Sequence, residues 1–301
     1  MARLDAFPKR LAKVLNRYKV AVSDSYARLR LERISTAKAE RQVSVAIPFF
    51  NNWKQSHLAL FNILSDPRVG EIVMLDDGSD EANFEKLQKK MEHFRKKLKL
   101  YRRETNLGPF ANKIHVVELC TSDWAILLDY DNTIGPDYLD ALFAIDEWRD
   151  DTIYCPGFAA PHFDYRQELD GVLLDFASTG ERVRTGHIAP PFLNTGNYLV
   201  PRGKYVSVLK PQYKARVVVP DVEFANYIWL QAGNSLKIVP HCQYWHRVLG
   251  ASTWASAQGA SVGIGERIQA RLSGLVGIDE GDFKGEFPFT ESEWQEARRV
   301  F

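Results

Sequence analysis

The chain has 301 residues, 45% of them hydrophobic and 26% charged. That balance fits a globular protein with a sizeable core and excludes a disordered or fibrous chain. The formal net charge of +1 gives no global field for nucleic acid, and three cysteines with no CxxC pair exclude a disulfide framework and a zinc ribbon.

Residues 1–41 read as a charged, helical extension without a core signature. Within it, the stretch Arg10 to Val22 is basic and amphipathic, with a modest, Ala-rich apolar face. Such a helix suits peripheral contact with an anionic membrane surface or a partner, and also simple packing on its own domain, which is the preferred reading. No secretory h-region and no apolar run of transmembrane length is seen, and Cys120, Cys155 and Cys242 fit a reducing compartment.

The globular part begins at Val43. Val43 to Ile47 reads as a β-branched strand stopped by Pro48, followed by a helical pattern over Gln55 to Leu64. Glu71 to Leu75 is a second buried strand, ending in Asp76-Asp77-Gly78-Ser79-Asp80. Ala82 to Lys97 is an amphipathic helix with Phe84, Leu87, Met91 and Phe94 on one face. Its Arg95-Lys96-Lys97 end reads as a solvated terminus that suits the helix dipole. Leu98 to Arg102 is a strand, Pro109 to Leu119 a helix, Trp124 to Leu128 a strand and Asp137 to Trp148 a helix. This alternation predicts βαβ units and a parallel sheet.

After residue 150 the rhythm breaks. Ile153 to Ala159, Val172 to Ala177 and Tyr198 to Pro201 read as strands, Asp221 to Ala232 as a helix ended by Gly233, and Ser235 to Val239 as a last strand. Gly250 to Gly265, rich in Gly, Ala and Ser, reads as a mobile loop and a candidate lid.

The segment with most chemistry is Leu127-Leu128-Asp129-Tyr130-Asp131-Asn132, where a buried strand ends in two carboxylates one residue apart. Ligands of open α/β sheets bind beyond the carboxyl ends of strands. Neighbouring carboxylates repel unless a positive group joins them, and a hard divalent cation takes oxygen ligands while keeping places for water and phosphate.

Four motifs occur in order, each at a strand end: Val43–Asn51, Asp76-Asp77-Gly78-Ser79, Asn106-Leu107-Gly108-Pro109 and Leu128–Asn132. In these the chain resembles a family-2-type glycosyltransferase with the GT-A nucleotide-diphospho-sugar-binding fold, well over residues 43–148 and more weakly to about residue 250. The resemblance implies an α/β fold with a mostly parallel central sheet flanked by helices. It divides the chain into a 1–41 extension, a 42–250 GT-A domain and a 251–301 tail of flexible loop and helix. Within the domain, 42–150 is the nucleotide-sugar half and 151–250 the acceptor half.

The same resemblance implies roles. Pro48, Phe50 and the turn around them flank the nucleotide base. Asp76 and Asp77 bind base and ribose, with the sequence leaving open which reaches the base. Lys113 stands where the family has Arg, and offers a point charge to a phosphate or is a plain surface lysine. Asp131 is the direct metal ligand, Asp129 touches ribose or metal, and Tyr130 packs on the donor sugar. Asn132 stands where a third acid is common. Asp221, preceded by Pro220 instead of a second acid, is the catalytic base, with Glu223 as substitute; an N-cap role for Asp221 is the competing reading. His246 is the first candidate to complete the metal shell and His241 the second. Zinc held by His241, Cys242 and His246 is disfavoured by spacing. Gly196 would let a sugar approach the backbone.

The implied activity is inverting, Mn²⁺- or Mg²⁺-dependent transfer from a nucleoside-diphosphate sugar, with uridine as the base, to a glycan or lipid-linked hydroxyl. Its setting is surface polysaccharide or glycoprotein glycan assembly at the cytoplasmic face of the membrane. The rival from another class is a non-catalytic scaffold that binds nucleotide sugar or glycan. A nucleotidyltransferase ranks lower, because Pro48–Asn51 lacks a Gly-rich phosphate loop.

Overall fold

The structure is a computed structural model that describes residues 39–186, 196–210, 221–247, 258–274 and 297–301. The first half comprises β1 (Val43–Phe49), β2 (Val69–Asp77), α1 (Glu81–Met91), β3 (Leu98–Arg103), α2 (Pro109–Glu118), β4 (Trp124–Leu127), β5 (Thr133–Ile134) and α3 (Pro136–Phe143). The second half comprises β6 (Thr152–Ala160), β7 (Phe163–Asp164), α4 (Arg166–Leu169), β8 (Leu173–Leu174), α5 (Phe176–Thr185) and β9 (Leu199–Pro201). It continues with α6 (Arg202–Leu209), α7 (Asp221–Gln231), β10 (Ser235–Trp245), α8 (Gln258–Leu272) and β11 (Arg298–Arg299).

The described strands form one sheet in the order β11-β3-β2-β1-β4-β9-β6-β10-β5. β3, β2, β1 and β4 are parallel, and β6 and β10 are parallel to each other, while β9 runs antiparallel between β4 and β6. The chain lays β2 and β3 on one side of β1 and returns to place β4 on the other. The carboxyl ends of β1 and β4 therefore flank a topological switch point, where such sheets open a ligand crevice.

Both faces of the sheet are covered, which explains the near-continuous apolar runs of its strands. Val43, Val45, Ile47 and Phe49 pack with Phe84, Leu87 and Met91 of α1 and Leu139 and Leu142 of α3. Ala46, Val73 and Leu75 point the other way, into a core shared with Phe110 and Ile114 of α2 and Phe224, Tyr227 and Ile228 of α7.

Several elements differ from expectation. β1 runs through Pro48, which lies past the last β1–β4 pair, Ala46 with Leu127, where no ladder bond requires its N–H. The Gln55 to Leu64 helix reduces to a 3₁₀ turn at Leu58–Leu60, bracketed by Asn52 and Asn62 with φ of 51° and 67°, incompatible with a continuous helix. The strand expected over Val172 to Ala177 is only Leu173–Leu174, because Asp175 and Ser178 form a capping box that starts α5. β10 continues to Trp245 through an irregularity at His241, whose φ is 61°.

The expected Gly-rich loop is helical from Gln258 on, while 248–257 lies outside the described residues. At its described end this stretch packs tightly: a Cβ on Gly265 of α8 would lie 3.1 Å from Glu223 Oε2 of α7. The 1–41 extension also falls outside the description up to residue 38, as do Asn194, Thr195 and Pro220.

Lys97 is buried, not solvated as expected. Its Nζ donates to the carbonyls of Ile63, Leu64 and Asp66 at 3.0, 3.0 and 2.8 Å. Burial lowers its pKa to about 8, against the pull of Asp66. One ammonium thus satisfies three carbonyls in the turn that leads into β2. Lys97→Met orphans them and is expected to lower unfolding free energy by about 2–4 kcal/mol. Lys96→Met, on the exposed neighbour, should change it by no more than about 0.5 kcal/mol in the same denaturant titration.

Candidate active site

The first two acidic and Gly-containing motifs meet physically. Asp77, at the end of β2, accepts hydrogen bonds from the backbone N–H groups of Leu107 (3.1 Å) and Gly108 (2.9 Å). Asn106 Nδ2 returns a bond to the Asp77 carbonyl at 2.9 Å. Gly78, with φ of 72°, permits this approach, since a Cβ there would lie 2.9 Å from the Asn106 nitrogen. Asp77 therefore pins, with both its oxygens, the loop that leads into α2. Asp76 is fully buried beside it, bonded by the Ser79 hydroxyl, and burial lifts its carboxyl to about 6. Ser79 Oγ also accepts from the Asn51 N–H at 2.7 Å, tying the turn after β1 to the turn after β2.

The turn after β1 presents Phe50, 41% exposed, while Pro48 is buried within the strand and Phe49 packs edge-on against Tyr130 at 5.2 Å. Of the residues expected around a base, Phe50 is the accessible one.

α2, fixed at its start by Asp77, carries Lys113 to the centre of the site. Its Nζ lies 3.2 Å from Asp129 Oδ1 and 2.8 Å from Asp221 Oδ2. Burial disfavours the ammonium, but the two carboxylates outweigh it and hold the Lys113 pKa above its ordinary range. Lys113 is thus not a surface lysine. It joins the acidic turn after β4 to the acid that opens α7.

Asp129 is oriented by Asn197, whose Oδ1 accepts from the Asp129 N–H at 2.8 Å and whose Nδ2 donates to Asp129 Oδ2 at 3.3 Å. Asn197 adopts φ of 57°, and its carbonyl accepts from the buried Tyr138 hydroxyl at 2.6 Å. Asn132 is buried and internally satisfied: its Oδ1 accepts from the Arg247 N–H at 3.0 Å. The Arg247 guanidinium clamps the same turn through the Asp131 carbonyl (3.0 Å) and Thr133 Oγ1 (2.8 Å). Tyr130 is half-buried, with its hydroxyl 3.3 Å from Asn52 Nδ2.

Asp131 forms no ion pair among the described residues. Burial first, and the charge of Asp129 second, push its carboxyl up to about 7, against the attraction of Lys113 and Arg247. A half-buried carboxyl short of counter-charge beside a second carboxylate fits a hard divalent cation. Among the described residues no group of three His, Cys, Asp or Glu side chains forms a metal cage.

His246 lies at the end of β10, close enough to feel the charge of Asp129, and burial lowers its pKa. His162 packs edge-on against it at 5.2 Å, and Phe163 at 5.6 Å. His241 is exposed at the irregularity further back on β10. Trp245, 60% exposed, follows Tyr244 in β10 and so points to the opposite face from the Tyr244–His246 pair.

The two acids of α7 part company. Asp221 faces Lys113, whereas Glu223 is buried toward α8, where a Cβ on Gly265 would lie 3.1 Å from its Oε2. Glu223 therefore does not join the Asp129–Lys113–Asp221 group. Sequence reading missed Asn197 as the partner of Asp129, Arg247 as the clamp of the acidic turn, and Asn112. The buried Asn112 amide reaches the Phe49 and Leu75 carbonyls at 3.4 and 3.3 Å, at the ends of β1 and β2.

Similar solved structures share this arrangement of elements. S. aureus TarS (residues 1–349) superposes with a TM-score of 0.54 at 16% identity, over 80% of this chain and 67% of that one. Its complex with UDP-GlcNAc gives 0.56 at 17% identity, over 80% and 68%. GalNAc-T7 with UDP, GalNAc and Mn²⁺ gives 0.53 at 17% identity, over 69% of this chain, which spans 44% of that protein. No curated protein matches the sequence. The fold is that of the GT-A glycosyltransferases, with a largely parallel central sheet flanked by helices. Residues 44–178 match the family described as Glycosyl transferase family 2, so this segment is a glycosyltransferase domain of that family.

Burial lifts Glu223 from 4.5 to about 7, with one hydrogen bond from Gln269 opposing the shift. Its Oε1 has no hydrogen-bond partner. Because the folded state retains this proton while the unfolded chain loses it, stability falls as pH rises from about 4.5 to about 7 and levels off above. Glu223→Gln is expected to flatten that part of the stability–pH curve and to raise stability at pH above 7 by on the order of 2 kcal/mol. Urea titrations of both proteins across this range check it.

Proposed function

We propose that the protein is an inverting, divalent-metal-dependent glycosyltransferase that moves a sugar from a UDP donor to an acceptor hydroxyl. The observation that carries this reading is the opposition of the Asp129–Asp131 turn, at the switch point of the sheet, to Asp221 on the far side of Lys113. A donor pocket and a proton acceptor on opposite sides of one crevice are what in-line displacement requires.

In this reading the 42–150 half holds the donor. Phe50 lines the base and ribose end, with the buried Asp76 and Asp77 acting through the turns they hold. Asp131 and Asp129, with His246 beside them, would hold Mn²⁺ or Mg²⁺, which when bound neutralises the diphosphate as it leaves. Tyr130 packs toward the donor sugar. The 151–250 half presents the acceptor. Asp221 takes the proton of the acceptor hydroxyl as that oxygen attacks the anomeric carbon and the bond from that carbon to the diphosphate oxygen breaks. Attack from the face opposite the leaving group inverts the anomeric configuration.

The UDP assignment draws on the solved structures: one TarS complex contains UDP-GlcNAc, and the GalNAc-T7 structure contains UDP, GalNAc and Mn²⁺. A glycan or lipid-linked acceptor in surface polysaccharide or glycoprotein glycan assembly fits the class. No described helix is long and apolar enough to cross a membrane. The basic, amphipathic Arg10–Val22 stretch of the 1–41 segment supports peripheral access to a lipid-linked acceptor at the inner membrane face.

Asp221→Asn tests the assignment of the base. UDP release from a UDP-N-acetylhexosamine should fall by about 10²–10⁴-fold while UDP affinity in Mn²⁺ stays close to wild type. Undiminished turnover in this variant would remove Asp221 from the mechanism. Where a product forms, its anomeric configuration by NMR should be opposite to that of the donor; a retained configuration contradicts inversion.

A further inference from the structure

Lys113 occupies the position where a positive charge would be expected to bind the diphosphate, yet its ammonium is directed elsewhere. We infer that Lys113 is a positioning residue for the base: it holds the Asp221 carboxylate in register with the donor-side turn, and contributes little to donor affinity. The inference rests on the reading of Asp221 as the base and adds how that base is held.

The geometry is one of linked constraints. Lys113 and Asp221 are both largely enclosed, with side chains 14% and 12% exposed, and their ion pair is close, at 2.8 Å. Asp221 opens α7, and a carboxylate in a first helical turn has several rotamers available unless a partner selects one. Lys113 selects it. The ammonium is itself held by Asp129 at 3.2 Å, and Asp129 is held by Asn197 through both its backbone N–H and its carboxylate. At the other end, α2 is set by the two amides that Asp77 accepts. The position of Asp221 is thereby referred, through Lys113, to the same strand end that presents Asp131.

Tyr198 and Tyr205 complete the surroundings. They are buried, hydrogen-bonded to each other at 3.2 Å, and close enough to Asp221 for its charge to bear on both. They wall the acid against the core and leave Lys113 as its ion-pair partner among the described residues. The Lys113 ammonium thus sits within ion-pair distance of two carboxylates, which draw its charge away from any phosphate.

The test separates kcat from donor binding in Lys113→Met, Lys113→Arg, Asp221→Asn and the double variant Lys113→Met/Asp221→Asn. UDP binding in Mn²⁺ is measured by calorimetry, and turnover by UDP release from a UDP-N-acetylhexosamine. Lys113→Met should lose about 100-fold in kcat, the scale of an ångström misplacement of a reacting group, with UDP affinity unchanged. Lys113→Arg should recover part of that loss. The double variant should be no slower than Asp221→Asn alone, because Lys113 acts through Asp221. It also removes the unpaired carboxylate that Lys113→Met leaves buried, so it keeps the comparison available if the single variant fails to fold.

Weakened UDP binding in Lys113→Met with kcat intact would make Lys113 a diphosphate ligand and overturn the inference. So would a further loss of turnover in the double variant. Full activity in Asp221→Asn is a separate failure: it removes the base assignment on which the inference stands.

Discussion

A single ammonium lies between two carboxylates that come from different halves of the chain. Asp129 follows β4 in the half that carries the family 2 motifs, and Asp221 opens α7 in the half that departs from the βαβ rhythm. Three charges in a largely enclosed place are costly unless each finds a partner. Asn197, which bonds Asp129, and the enclosed Lys113–Asp221 pair meet that requirement. The arrangement makes the site a junction between the two halves of the crevice.

What brings these groups together is the sheet. A strand order that switches sides between β1 and β4 leaves two strand ends free of a covering connection. β1 delivers the Phe50–Asn52 turn there, and β4 delivers Asp129 and Asp131. α2 then packs across the sheet on Phe110, Ile114 and Val117, which places Lys113 over the same edge. The antiparallel β9 and the parallel pair β6–β10 extend the sheet beyond β4 and supply Asn197, His246 and Arg247. Rigid elements thus carry the groups that need fixed geometry, and the turns between them are cross-linked by Asp77, Ser79 and Arg247.

Much of the first half was legible because periodicity and strand-end chemistry point the same way there. Phe84, Leu87, Met91 and Phe94 form the expected buried face, and all four motifs lie at or immediately after the carboxyl ends of strands. The failures have local physical causes. Lys97 looked like a solvated helix end because its three carbonyl partners lie on a turn more than thirty positions earlier in the chain. The strand expected over Val172–Ala177 overruns the start of the helix Phe176–Thr185 because an apolar Val172–Leu174 run masks the Asp175–Ser178 capping box. The glycines after Gly250 suggested a loop, although small residues also serve tight helix packing. The placement of Asp221 and Glu223 on different neighbours follows from helical geometry, but the neighbours are set by tertiary packing that no spacing discloses.

The most direct test of a metal-dependent nucleotide site at Asp131 is thermal unfolding with UDP, GDP, CDP and ADP, each with and without Mn²⁺, on wild type and Asp131→Ala. A ligand that binds only the folded protein raises the midpoint. The account predicts a rise with UDP that requires Mn²⁺ and disappears in Asp131→Ala. No rise with any nucleotide, or a rise indifferent to both Mn²⁺ and Asp131, would contradict it.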